Sequence, residues 1–208
     1  METPGLSTTR IAAFSDSVFA FAATLLVLNI KIPEVLPTQL TTELPLQVLH
    51  LWPQLLSYMM SFVIVGIYLV AHNVMFHHIK RSDRMLLWLN IAFLMCIAFM
   101  PFPTGLISRY GAVQTAVVVY AGTLTITGVM LEILWWYATR GHYLVEKELP
   151  DRVVRLGTIK TIIAPCAYAL SIAVSFVSPK LCIIFFVAVP AFYILPSRVD
   201  RYLLNADG

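Results

Sequence analysis

Apolar residues along this chain gather in blocks of about 20, the length that carries an α-helix across ~30 Å of hydrocarbon. Six blocks are predicted as membrane spans, over residues 11–32, 54–79, 85–107, 112–138, 158–178 and 181–195. Pro33 and Pro37 end the first, and Pro53 opens the second, where a missing N–H costs little. Lys80-Arg81-Ser82-Asp83-Arg84 separates the second from the third, and Gly111 follows Arg109-Tyr110 in a tight turn. Residues 140–157 form the longest charged connector; within it, 146–155 reads as a solvated loop or a short surface helix. Pro179-Lys180 makes a minimal hairpin. Pro101 and Pro103 lie late in the third span and are expected to bend or unwind it. Pro165 and Pro190 sit inside the last two, where neighbouring helices can satisfy the freed carbonyls. The expected fold is all-α, a polytopic membrane protein, with one six-helix transmembrane domain over residues 1–208 and no internal repeat.

Composition agrees. With 59% hydrophobic and 12% charged residues among 208, the chain lacks the charged shell of a soluble domain. The first block ends in Asn29, Lys31 and Pro33 without a small-residue cleavage pattern, so it reads as a retained span and not a signal peptide. Charge then gives direction. With the N-terminus inside, eleven of the 14 basic residues fall at inner ends: Arg10, Lys80, Arg81, Arg84, Arg140, Lys147, Arg152, Arg155, Lys160, Arg198 and Arg201. Only Lys31, Arg109 and Lys180 fall outside, which predicts cytoplasmic N- and C-termini in a cell membrane. The net charge of +3 sits in short loops and implies no nucleic-acid partner.

Candidate chemistry is sparse. Cys96, Cys166 and Cys182 lie in apolar segments without a C-x-x-C and are expected as small buried packing residues. His77-His78 lacks a third ligand, so no metal site is expected. Trp135-Trp136-Tyr137 reads as an interfacial belt. No G-x-S-x-G, H-E-x-x-H or phosphate-cradling glycine loop appears, so neither an enzyme nor a cofactor is expected.

The first span is the unusual one. Ser15, Asp16 and Ser17 lie near its start, and nothing charged follows until Lys31. On a helical wheel, Phe14, Phe21, Leu25 and Leu28 fall within an arc of about 60°, flanked by Ser17 and Thr24. Asp16 lies about 140° from Phe21, beside Ala12, Ala20 and Ala23, on a seam expected to pack against other helices. Counted from the basic cytoplasmic ends, Asp16, His72, Asn90 and Glu132 share one layer, on the order of 9–12 Å deep. They read either as one buried hydrogen-bonded network or as independent polar groups each facing a bridging water. Glu132 is also placed to pair with Lys160.

These residues also form a motif. Arg10, Phe14-Ser15-Asp16, Val18, Ala20, Ala22 and Thr24 to Leu28 resemble the first-helix signature of the transmembrane protein 175 family of potassium channels. His72, Phe76, Ile79, Arg81, Asp83, Leu86-Leu87, Asn90 and Pro101-Phe102-Pro103-Thr104 extend the resemblance, dense over residues 10–107. It implies a potassium-selective channel without a TVGYG filter, in the bacterial plasma membrane, with potassium as the permeant ion. A single six-helix unit implies a homotetramer. By the same resemblance the first helix lines the pore, with Phe21, Leu25 and Leu28 as the hydrophobic constriction and Thr24 as a hydroxyl layer. Arg10, Ser15 and Asp16, with His72 and Asn90, are implied to tie that helix to its neighbours. One departure is Phe21, where the family usually has isoleucine or leucine; four phenylalanines need more room than four isoleucines. The rival class is a proton-coupled secondary transporter relaying protons through Asp16 and His72, although the chain shows neither repeated halves nor paired broken helices.

Overall fold

A computed structural model describes residues 7–35, 38, 40–142, 144–146 and 149–195. Pro37, Lys147, Arg198 and Arg201, used above, lie outside the described residues. The described chain is helical throughout, its only strand-like pairing being an isolated antiparallel bridge between Ile79 and Val145.

The elements are α1 (Thr8–Leu25), α2 (Leu40–Leu49), α3 (Trp52–His78), α4 (Arg84–Phe99), α5 (Pro101–Tyr110), α6 (Gln114–Thr139), α7 (Asp151–Ser175) and α8 (Cys182–Ile194). Among the described residues, five segments are long and apolar enough to cross a membrane: Thr8–Asn29, Thr41–His78, Arg84–Tyr110, Gln114–His142 and Asp151–Ser175. The sixth apolar segment, Pro179–Ile194, is shorter.

Local chemistry explains the boundaries. Ser7 caps α1 by accepting the Arg10 amide at 3.3 Å, and Asp83 caps α4 by accepting the Leu86 amide at 2.7 Å. At its C-terminal end α1 tightens into a 3₁₀ turn, Leu26–Asn29, and stops before Pro33. Pro101 and Pro103 break the third span into α4 and α5 at Met100, because neither imino nitrogen can continue the helical ladder.

Four expectations change. The short helix α2 was not foreseen, since its ten residues include Pro45 and carry no span-length apolar run. The fifth span starts at Asp151 and not near residue 158, because Gly157 does not interrupt α7 and Pro150 precedes its first turn. Residues 151–155 of the charged stretch therefore belong to α7 and form neither a loop nor a separate helix. Lys80 and Arg81 donate their amides to the Leu144 carbonyl at 2.9 and 3.1 Å, and Lys80 Nζ meets Glu146 at 2.7 Å. Tyr137 adds a bond to Asp83 at 2.6 Å, so the two connectors form one clasp. Of the cysteines, only Cys182 is buried; Cys96 is half-buried and Cys166 exposed.

α6 and α7 approach closely at Gly128, where an added Cβ would sit 2.9 Å from the Pro165 ring. α6 holds the middle of the bundle, packed on α4, α5 and α7, and α1 lies on α3 and α4 through Ile11, Phe19, Ala22 and Leu26. Those spacings of three and four residues make one buried stripe, leaving the opposite face of α1 uncovered by its own chain.

Candidate functional site: the first helix and its anchors

The buried stripe of α1 carries one polar residue, Ser15. Its hydroxyl donates to the Ile11 carbonyl at 2.9 Å and accepts from Asn90 Nδ2 at 3.0 Å. Asn90 Oδ1 lies 2.8 Å from His72 Nε2. An amide oxygen only accepts, so with Nδ2 committed to Ser15 the imidazole proton resides on Nε2. The result is a directed run of bonds from α3 through α4 into α1. All three side chains are buried. The His72 ring is stacked between Phe76, 4.3 Å away at 23°, and Phe93, 5.6 Å away at 6°, which fixes its orientation.

Arg10 and Asp16 lie outside this run; both are exposed on the single chain. One residue along a helix turns a side chain by about 100°, so when Ser15 faces α4, Asp16 must face outward. Glu132 lies outside this run as well, accepting the Thr161 hydroxyl of α7, one residue along from Lys160.

A second anchor, missed in the sequence, holds the C-terminal end of this helix. Asn29 Nδ2 donates to the Pro101 carbonyl at 2.8 Å. Gly105 permits the approach, because a Cβ there would lie 2.6 Å from Asn29 Oδ1. Beneath it, Thr104 donates its one proton to the Met100 carbonyl at 2.8 Å, its Oγ1 lies 2.9 Å from Ser61 Oγ, and Ser61 meets the Tyr120 hydroxyl at 2.9 Å. No sequence signal separates such hydroxyls from those that merely bond back to their own helix.

Between the anchors stands the uncovered face. Phe14, Phe21, Leu25 and Leu28 are 58, 72, 43 and 73% exposed. Thr24 sits among them, its hydroxyl donating back to the Phe21 carbonyl at 2.9 Å, which leaves its oxygen lone pairs directed outward. Asp16 and Ala20 are exposed on the other flank of the same face. The structure thus brings Ser15, His72 and Asn90 together and sets Phe21, Thr24, Leu25 and Leu28 on a separate surface.

Residues 10–101 match the family model described as endosomal/lysosomal potassium channel TMEM175. A Streptomyces collinus protein named as a potassium channel is 34% identical over 83% of this chain and 84% of its own. Another so named, from Chamaesiphon minutus, is 35% identical over 86% of this chain and 89% of its own. The crystal structure of a lysosomal potassium-selective channel TMEM175 homolog from Chamaesiphon minutus superposes with a TM-score of 0.80 at 32% identity, covering 90% of this chain and 96% of that one. With sequence and fold shared over most of its length, this chain belongs to the transmembrane protein 175 (TMEM175) channel family.

Proposed function

We propose that the chain is one subunit of a homotetrameric, potassium-selective channel of the bacterial plasma membrane. It has six spans and cytoplasmic termini, and α1 lines the central pore. The observation carrying this reading is the mixed chemistry of the uncovered α1 face. A lipid-facing surface should be apolar throughout, yet this one holds Asp16, Ser17 and Thr24 at membrane depth. A carboxylate facing hydrocarbon costs about 2.5–3.5 kcal/mol on insertion scales. A ring of four subunits removes that cost by covering the Asp16 flank with the neighbouring subunit while the Phe21–Leu28 stripe faces the axis. The naming of the relatives as potassium channels supports the ion assignment.

In this arrangement Phe21, Leu25 and Leu28 close the pore by excluding water, and opening is a widening of the neck. No TVGYG loop is present to replace the hydration shell with carbonyls. Discrimination instead comes from partial dehydration, cheaper for potassium than for the smaller, more strongly hydrated sodium, with the four Thr24 oxygens replacing part of the lost water. Ser15, Asn90 and His72 hold the pore helix in place, and Arg10 and Asp16 extend that hold to the neighbouring subunit.

Flux in proteoliposomes tests the class. A channel passes potassium down its gradient without moving protons stoichiometrically and without saturating at millimolar concentrations. Coupled or saturating flux would instead favour the transporter built on Asp16 and His72. Thr24→Val tests the layer: the potassium-to-sodium permeability ratio should fall, and an unchanged ratio would remove Thr24 from selectivity.

A further inference from the structure

An apolar cleft of about 540 Å³ runs between α3 and α7, with Trp135 of α6 and Tyr193 of α8 completing its wall. On α3 it follows Val63, Gly66, Val70 and Val74 down to His78, a face of about 22 Å. That exceeds one leaflet's half of the ~30 Å hydrocarbon core. A Cβ added at Gly66 meets no heavy atom within 4 Å, so the cleft is open down to the α3 backbone.

One cation marks the wall. Lys160 of α7 lines the cleft, its ammonium 6.0 Å from the centre of the Tyr193 ring. It lies five residues, about 7.5 Å, inside the exposed basic end of α7 at Arg155. A lysine stem spans that depth and carries its charge to headgroup level.

We infer that this cleft is a binding site for an anionic phospholipid of the cytoplasmic leaflet. Its acyl chain lies along Val63–Val74 and its phosphate is held by Lys160. An acyl chain fits the long apolar groove, and Lys160 gives the site a preference by charge that a merely greasy surface lacks. The inference does not depend on which ion the channel conducts.

Native mass spectrometry of the full-length purified channel tests it, with phosphatidylglycerol and phosphatidylcholine of identical chains as probes. The parent protein should retain one phosphatidylglycerol per chain in about fivefold preference over phosphatidylcholine, the effect of one lysine at an anionic surface. Lys160→Gln should bring the ratio near unity while the acyl chain still binds. Gly66→Leu fills the groove from the backbone and should abolish retention of both lipids at unchanged subunit count. Parental retention in both variants would overturn the site. An altered subunit count in Gly66→Leu would also overturn it, assigning the cleft to a second copy of the chain. Should Gly66→Leu fail to fold, an unchanged lipid preference in Lys160→Gln is sufficient to reject the proposal.

Discussion

Phe21→Ser is expected to turn a closed neck into a leaking one, raising basal potassium flux at least about tenfold, which requires only ~1.4 kcal/mol off the barrier. Phe21 is 72% exposed on the single chain, and in the proposed tetramer four copies ring the axis. A ring of phenylalanines stays dry because filling it with water forfeits water–water hydrogen bonds without replacing them. Burial of one such side chain is worth about 1.5–3 kcal/mol, so four provide far more than the tenfold effect needs. Four serines would instead offer hydrogen bonds, hydrate the neck and let ions cross with their shells, so discrimination against sodium should fall as flux rises. Efflux from potassium-loaded liposomes reads the first effect and bi-ionic reversal potentials the second. If Phe21→Ser is silent while Leu25→Ser leaks, the constriction lies one turn further out. If both are silent, the stripe faces lipid and the pore assignment fails.

Asn90→Ala should be the most damaging change away from the stripe. The amide is buried and uses both ends, donating to Ser15 and accepting from His72. Removing it leaves the imidazole N–H without its acceptor and opens a cavity beside Phe93. The expected loss is on the order of 2–4 kcal/mol. Membrane hydrogen bonds average only about 0.6 kcal/mol when the unfolded state finds other partners. Here the stacked His72 ring cannot turn to seek one. Ser15→Ala removes a single contact and should cost about 0.5–1.5 kcal/mol. The fraction of oligomer surviving a heat step, followed by size-exclusion chromatography, ranks the two. Channels that survive should keep the parental permeability ratio; a changed ratio would place Asn90 in the ion path. Equal heat resistance in Asn90→Ala and the parent would show that α1 is held mainly by its apolar stripe.

Much of this arrangement was readable in the sequence, because apolar blocks and helical spacing are local properties. Helical spacing grouped Phe21, Leu25 and Leu28, but it put the packing seam on Asp16, Ala12, Ala20 and Ala23, whereas the buried stripe is Ile11, Ser15, Phe19, Ala22 and Leu26 and leaves Asp16 and Ala20 exposed. Depth counting also placed His72 and Asn90 in one layer. It could not tell Ser15 from Asp16, since adjacent residues share a depth and differ only in direction. Glu132 shows the same limit: its depth matched, but its helix face turned toward α7. The Asn29 anchor needed tertiary knowledge, because Pro101 lies 72 residues away and the fit depends on Gly105 having no side chain. The clasp at Leu144 and Glu146 was hidden for a similar reason: a charged connector looks solvated until its partner strand is known.

The 3₁₀ turn at Leu26–Asn29 sets the aim of the last apolar layer. At three residues per turn, positions three apart eclipse, so Leu28 stands directly above Leu25, and Asn29 above the buried Leu26. Relaxing those four residues to ordinary α geometry would swing Leu28 about 60° around the rod relative to Leu25. The same winding change would pull Asn29 out of line with Pro101. In the proposed pore, aperture and latch therefore share one coil, and neither can be reset without disturbing the other.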